Sequence, residues 1–112
     1  MISAEYLAGF FDGEGTFYMG RQISRGKEYP QATIILSQSG DDGLNLLKQI
    51  QEEYGGSIYE HLKAGQHKAT KSAHKLYWNK AEGIILCERL IPHLILKKQS
   101  AQTVLSYLTR NG

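Results

Sequence analysis

The 112-residue chain has room for one domain, and with 41% hydrophobic and 21% charged residues it can bury a core rather than stay disordered. Its one cysteine, Cys87, excludes an internal disulfide and a cysteine-rich zinc site. No apolar run reaches the roughly 20 residues of a membrane span, no secretory signal is recognisable, and an intracellular, soluble protein is expected.

Ser3 has the hydroxyl to cap a first helix running to about Asp12. Tyr6, Leu7, Ala8, Gly9, Phe10 and Phe11 make that helix apolar all round, which predicts burial on most sides. Phe17 and Met19 alternate with Tyr18 and Gly20, predicting a strand over residues 16–24; a turn over 25–29 and a second strand over 31–38 complete a hairpin. Asp41 and Asp42 open a second helix at its positive end, with Leu44, Leu47, Ile50 and Tyr54 at helical spacing and Gly55-Gly56 as terminator.

Residues 57–63 and 74–79 predict another strand pair, in which one of Tyr77 and Trp78 faces the core and the other faces out. Asn79 can cap a third helix to about Ile91, stopped by Pro92, and a last helix covers 98–110 with Ala101, Val104, Leu105 and Leu108 inward. The order αββαββ followed by two helices predicts an α+β fold, a four-stranded antiparallel sheet with helices on one face.

Net charge is only +2, but its distribution is uneven. From His61 to Ala81 there is no acidic residue, only Lys63, Lys68, Lys71, Lys75, Lys80 and three histidines. Such a stretch is either a footprint for phosphates or a solvated loop. No pair of the four histidines has helical metal-ligand spacing.

Residues 7–15, Leu7-Ala8-Gly9-Phe10-Phe11-Asp12-Gly13-Glu14-Gly15, carry the chemistry. Gly9 and Gly13 lie four apart on one helix face, where a missing side chain lets a second backbone approach. Asp12 and Glu14 follow at the helix's negative end, where a carboxylate needs a compensating donor or cation. A hard divalent metal is one compensator; two solvated acids in a glycine-rich turn are the other reading.

This stretch resembles the namesake nonapeptide of the LAGLIDADG homing endonucleases, matching at Leu7, Ala8, Gly9, Asp12 and Gly15. The resemblance extends to Glu53-Tyr54-Gly55-Gly56 closing the second helix, to the Leu90–Gln99 segment before the last helix, and to the αββαββα order over essentially the whole chain. It implies a homodimer, because the motif occurs once, with Leu7, Ala8, Gly9, Phe10, Asp12 and Gly13 at a two-fold interface. It also implies Glu14 and the Gly13 carbonyl as ligands of a catalytic Mg²⁺, with Mn²⁺ as an alternative. Lys97 would stabilise developing charge, and Gln38, on a one-residue shift, would order water. Asp12 would help end the helix. Where the family often has a basic residue early in the second helix, this chain has Gly40-Asp41-Asp42-Gly43.

The resemblance further implies double-stranded DNA as partner, its major groove held against the concave face of the sheet. Alternation sends Tyr18, Gln22, Ser24, Gln31, Thr33 and Ile35 outward from the first hairpin, and Tyr59, His61, Lys63, Lys75, Tyr77 and Asn79 from the second. Arg21 falls on the inward set, from which a bulge or an exposed strand end would free it. Arg25, Lys27, Lys68 and Lys71 suit phosphates. The implied activity is double-strand cleavage at a long near-palindromic site, leaving short 3′ overhangs. Two rivals stand beside it: nucleic-acid binding without cleavage, as in RNA-splicing maturases or transcription regulators, and a scaffold that only dimerises.

Overall fold

The computed structural model describes residues 1–62 and 71–110. The first helix, α1 (Ala4–Glu14), starts where Ser3 Oγ accepts the Tyr6 N–H at 3.0 Å. It runs without a loop into β1 (Gly15–Ser24), which pairs with β2 (Lys27–Ser39). Only Arg25 and Gly26 separate the strands, at φ +52° and +78°. Two left-handed residues make the hairpin turn whose twist matches the strands, so the turn is tighter than the five residues expected.

The second strand is correspondingly longer and takes in Pro30. Residues 35–39 of β2 pair with a further strand, so Pro30 lies on a free edge where its missing N–H breaks no ladder bond. Its carbonyl there accepts the Tyr107 hydroxyl at 3.2 Å.

The chain continues through α2 (Gly40–Tyr54), β3 (Ser57–Leu62), β4 (Ala73–Tyr77), α3 (Lys80–Leu90), a 3-10 turn (Ile91–His93) and α4 (Lys98–Arg110). Gly55 and Gly56, at φ +81° and +99°, end α2, and Asn79 Oδ1 caps α3 by accepting the Glu82 N–H at 2.9 Å. The sheet is antiparallel in the order β1-β2-β4-β3, with all helices on one face. The α+β architecture expected from the sequence is the one observed.

The core lies between sheet and helices. Phe17, Ile34, Leu36 and Leu76 meet Leu7, Ala8 and Phe11 of α1, Leu47 and Ile50 of α2, Leu86 and Leu90 of α3, and Val104 of α4. Phe11 sits at its centre, its ring 4.7 Å from Phe17 and 5.5 Å from Trp78. Trp78 is the inward member of its pair, with its indole N–H donating to the Tyr54 carbonyl at 3.0 Å, and Tyr77 faces out. Leu105, expected inward, is only partly buried.

The expectation that α1 is buried on most sides is corrected. Leu7, Ala8 and Phe11 are wholly enclosed, but Tyr6 is 54% exposed and a Cβ on Gly9 or Gly13 would meet nothing within 4 Å. The helix covers the core with one face and leaves the other open.

Burial, helped by the charge of Glu88, pushes the Cys87 thiol up from 9.0 to about 12. The native thiol should therefore resist a thiol reagent at pH 8 and react only on unfolding. Its contribution to stability is full below pH 9 and is lost as pH rises from 9 toward 12, because the unfolded thiol ionises first. Thiol titration with and without denaturant checks the first point, and denaturation midpoints across that range check the second.

Candidate active site and nucleic-acid interface

The acids of residues 7–15 stand at the join of α1 and β1, and a distant segment closes on them. The Asp12 carboxylate accepts the Ile95 N–H on Oδ2 and the Lys97 N–H on Oδ1, both at 2.9 Å. The Lys97 ammonium in turn donates to the Gly15 carbonyl. The Lys97 ammonium is thus held at the residue that follows Glu14 in the chain. Gly15 is a glycine for steric reasons: a Cβ would overlap the Phe11 ring, over which the chain passes.

Glu14 itself is exposed. Among the described residues it has no ion-pair or hydrogen-bond partner, and the last turn of α1 has no basic residue. An uncompensated carboxylate at the negative end of a helix, beside the exposed Gly13 backbone, is a donor set that suits a hard divalent cation. The described residues contain no group of three or more His, Cys, Asp or Glu side chains that could hold a metal. Of the two carboxylates here, Asp12 is engaged by Ile95 and Lys97, which leaves Glu14.

The open face of the sheet is sorted by register. Phe17 opposite Ile34 and Leu36 opposite Leu76 fix the buried face. Their neighbours form two outward rows, Thr16–Ile35–Tyr77–Ser57 and Ser37–Lys75–Tyr59, and the hairpin extends the face through Tyr18–Thr33, Gly20–Gln31, Gln22–Tyr29 and Ser24–Lys27. Tyr59 meets Tyr77 edge to face at 5.6 Å. Lys75, half-buried between Ser37 and Tyr59, is the one charged side chain described in those two rows.

The LAGLIDADG endonuclease family matches residues 7–109, nearly the whole chain. The chain belongs to that family. Among solved structures it is similar to the homing endonuclease I-CvuI in complex with the I-CreI target, at 22% identity and a TM-score of 0.78, over 95% of this chain and 65% of that one. It is also similar to the archaeal intron-encoded homing endonuclease I-Vdi141I complexed with DNA, at 23% identity and 0.71, over 97% and 69%. The LAGLIDADG homing endonuclease I-GzeII in complex with its DNA target matches at 18% and 0.73, over 99% and 38%. No curated protein matches.

Set in the LAGLIDADG fold, several expected positions change. Gln38 shares the buried-face parity of Ile34 and Leu36, lies opposite His74, and packs half-buried against Gly43 at the start of α2. Outward parity at this end belongs to the exposed Ser39, and Gln38 stands on the helix side near the end of β2. Leu7 and Ala8 are 0% exposed and offer a partner no surface, unlike Gly9, Phe10 and Gly13. Asp12 is committed to Ile95 and Lys97 of its own chain. Asn79 spends its side-chain oxygen on the α3 cap, beyond the end of β4.

Arg21 has inward parity but reaches solvent without a bulge, because the hairpin outruns the helices. Its side chain is 73% exposed, 3.5 Å from Glu28. Arg25 and Lys27 are exposed at the tip, and Lys71 is exposed ahead of β4. His61 lies in β3 where the register shifts between Glu60 and Leu62; its side chain, with Lys63 and Lys68, falls outside the described residues.

Two side chains were missed by the sequence reading: Ile95 and Leu96, 88% and 77% exposed, on the segment that Asp12 holds. In the apolar run Leu94-Ile95-Leu96 only Leu94 is buried.

Gly15→Ala should destabilise the fold by about 1–3 kcal/mol through overpacking against Phe11, measured by urea denaturation. The same change at Gly13, which faces open space, should leave that curve within about 1 kcal/mol of wild type.

Proposed function

We propose that the chain is one half of a homodimeric, divalent-metal-dependent endonuclease that cuts both strands of a long, near-palindromic DNA site. The observation that carries this reading is the exposed Glu14, without a partner among the described residues, with the Lys97 ammonium held at the adjoining Gly15 carbonyl.

The open face of α1 supports pairing. Gly9 and Gly13 leave room for a second backbone, and the exposed Tyr6, Ile95 and Leu96 with the half-buried Phe10 give it an apolar surround. A second copy of this chain would bury that surface about a two-fold axis. A relative with this fold in 38% of its length has room for two such units, which supports the same arrangement. The axis would bring the two Glu14 carboxylates together.

Glu14 and the Gly13 carbonyl would hold Mg²⁺ or Mn²⁺, which when bound activates water and neutralises phosphate charge. Lys97 keeps two of its three N–H donors for phosphate oxygens after serving Gly15, and stabilises the negative charge that develops there. The outward rows of the sheet read bases, with Tyr18, Thr33, Lys75 and Tyr77 at the centre, while Arg21, Arg25, Lys27 and Lys71 position the duplex on phosphates. Matching half-sites follow from the two-fold axis, and short 3′ overhangs from cutting across the minor groove.

A second reading is binding of DNA or RNA without cleavage. The exposed Asp41 and Asp42 at the start of α2 favour it, since they put negative charge where phosphate must approach.

Wild type and Glu14→Gln, incubated with a randomised palindromic DNA library, should separate the readings. Cut ends should come from wild type only, with Mg²⁺ and not with chelator, and Glu14→Gln should lose at least about 100-fold in rate. Specific binding with no cutting would support the second reading. Lys75→Ala should relax the selected site at one base pair per half-site, by roughly 1–3 kcal/mol. Lys27→Ala should weaken binding evenly across sequences and flatten its salt dependence.

A further inference from the structure

The segment carrying Lys97 is tied by its own backbone only at its ends, at the Leu94 N–H and at the Lys97 carbonyl, which accepts the Ala101 N–H at 3.0 Å. Residues 94–97 lie between the 3-10 turn and α4 and belong to neither. Leu94 is anchored, its N–H donating to the Leu90 carbonyl at 3.0 Å and its side chain buried. The next two side chains, Ile95 and Leu96, are 88% and 77% exposed and do not belong to the core. The two N–H groups that flank Leu96 both end on one carboxylate, Asp12, one oxygen each. A carboxylate that accepts two backbone N–H groups makes charge-assisted bonds, about twice as strong as neutral ones.

We infer that Asp12 is a positioning residue for strand cleavage, acting through Lys97. This deepens the nuclease reading proposed above and rests on it. Asp12 and Glu14 then divide the work of the motif: Glu14 faces solvent and the metal, while Asp12 ties residues 95–97 to the end of α1. The tie spans more than 80 positions of sequence and sets where the Lys97 stem begins, so that its ammonium reaches the Gly15 carbonyl beside Glu14.

Asp12→Asn keeps size and shape but leaves one acceptor for two N–H groups. Its amide would turn an NH₂ toward one of them. The Lys97 backbone would shift, and a displacement of about 1 Å costs on the order of 100-fold in rate.

The test is a double-mutant cycle on cleavage of a selected site, with single-turnover rates for wild type, Asp12→Asn, Lys97→Met and the double variant. DNA affinity is measured in Ca²⁺, and protection of the Ile95 and Lys97 amides is followed by hydrogen exchange. Asp12→Asn should slow cleavage roughly 10–100-fold, leave DNA affinity within about twofold, and cost almost nothing further in the Lys97→Met background. Amide protection at 95 and 97 should fall in Asp12→Asn. Equal losses in both backgrounds, or a loss of DNA affinity matching the loss of rate, would overturn the proposal and leave Asp12 a plain structural tie. A wild type that binds its site and never cuts defeats the nuclease reading, a result distinct from additivity between variants.

Discussion

Everything functional here depends on α1 having two unlike faces and a charged end. Leu7, Ala8 and Phe11 wedge one face into the core, and the ring of Phe11 touches both Phe17 of the sheet and Trp78 beyond it. That packing fixes the helix rigidly against the sheet. The opposite face is open at Gly9 and Gly13, where an added Cβ would meet nothing within 4 Å among the described residues. The helix ends in Asp12 and Glu14, and β1 begins at once with Gly15 packed against the ring of Phe11. One element therefore supplies part of the core, an open face and the exposed acid.

The sheet completes this arrangement by separating two surfaces with one periodicity. Alternate residues bury Phe17, Ile34, Leu36 and Leu76 on the helix side and present Thr16, Tyr18, Ile35, Lys75 and Tyr77 on the other. The first hairpin outruns the helices, so at its tip both faces are wet. There Arg21 and Ile23 are exposed despite inward parity. A charge on the nominal core side is tolerated because no core exists at that distance from the helices.

Much of this was legible in the sequence because the signals are local. Ser3 and Asn79 cap the helices they were expected to cap, Gly55-Gly56 ends α2, and the αββαββα order matches. The motif at residues 7–15 was readable for the same reason, since its residues act at fixed spacing on one helix. What the sequence concealed needed long-range contact or exact parity. Nothing near Asp12 announces Ile95 and Lys97, more than 80 positions away. The length of the second strand was concealed too, because alternation does not show that it takes in Pro30 and runs from Lys27 to Ser39. An apolar face reads alike whether it meets its own core or another copy, so Leu7 and Ala8 could not be told from Gly9 and Phe10, nor Leu94 from Ile95 and Leu96.

In the proposed dimer the open face of α1 pairs two copies and brings their Glu14 carboxylates together at a metal centre on the axis. Anomalous scattering from Mn²⁺, in crystals of the protein bound to its selected DNA site, tests it most directly. The expected result is metal density between the two motif helices, within coordination distance of Glu14 from both copies. Density elsewhere, or motif helices that face solvent in the complex, would contradict it.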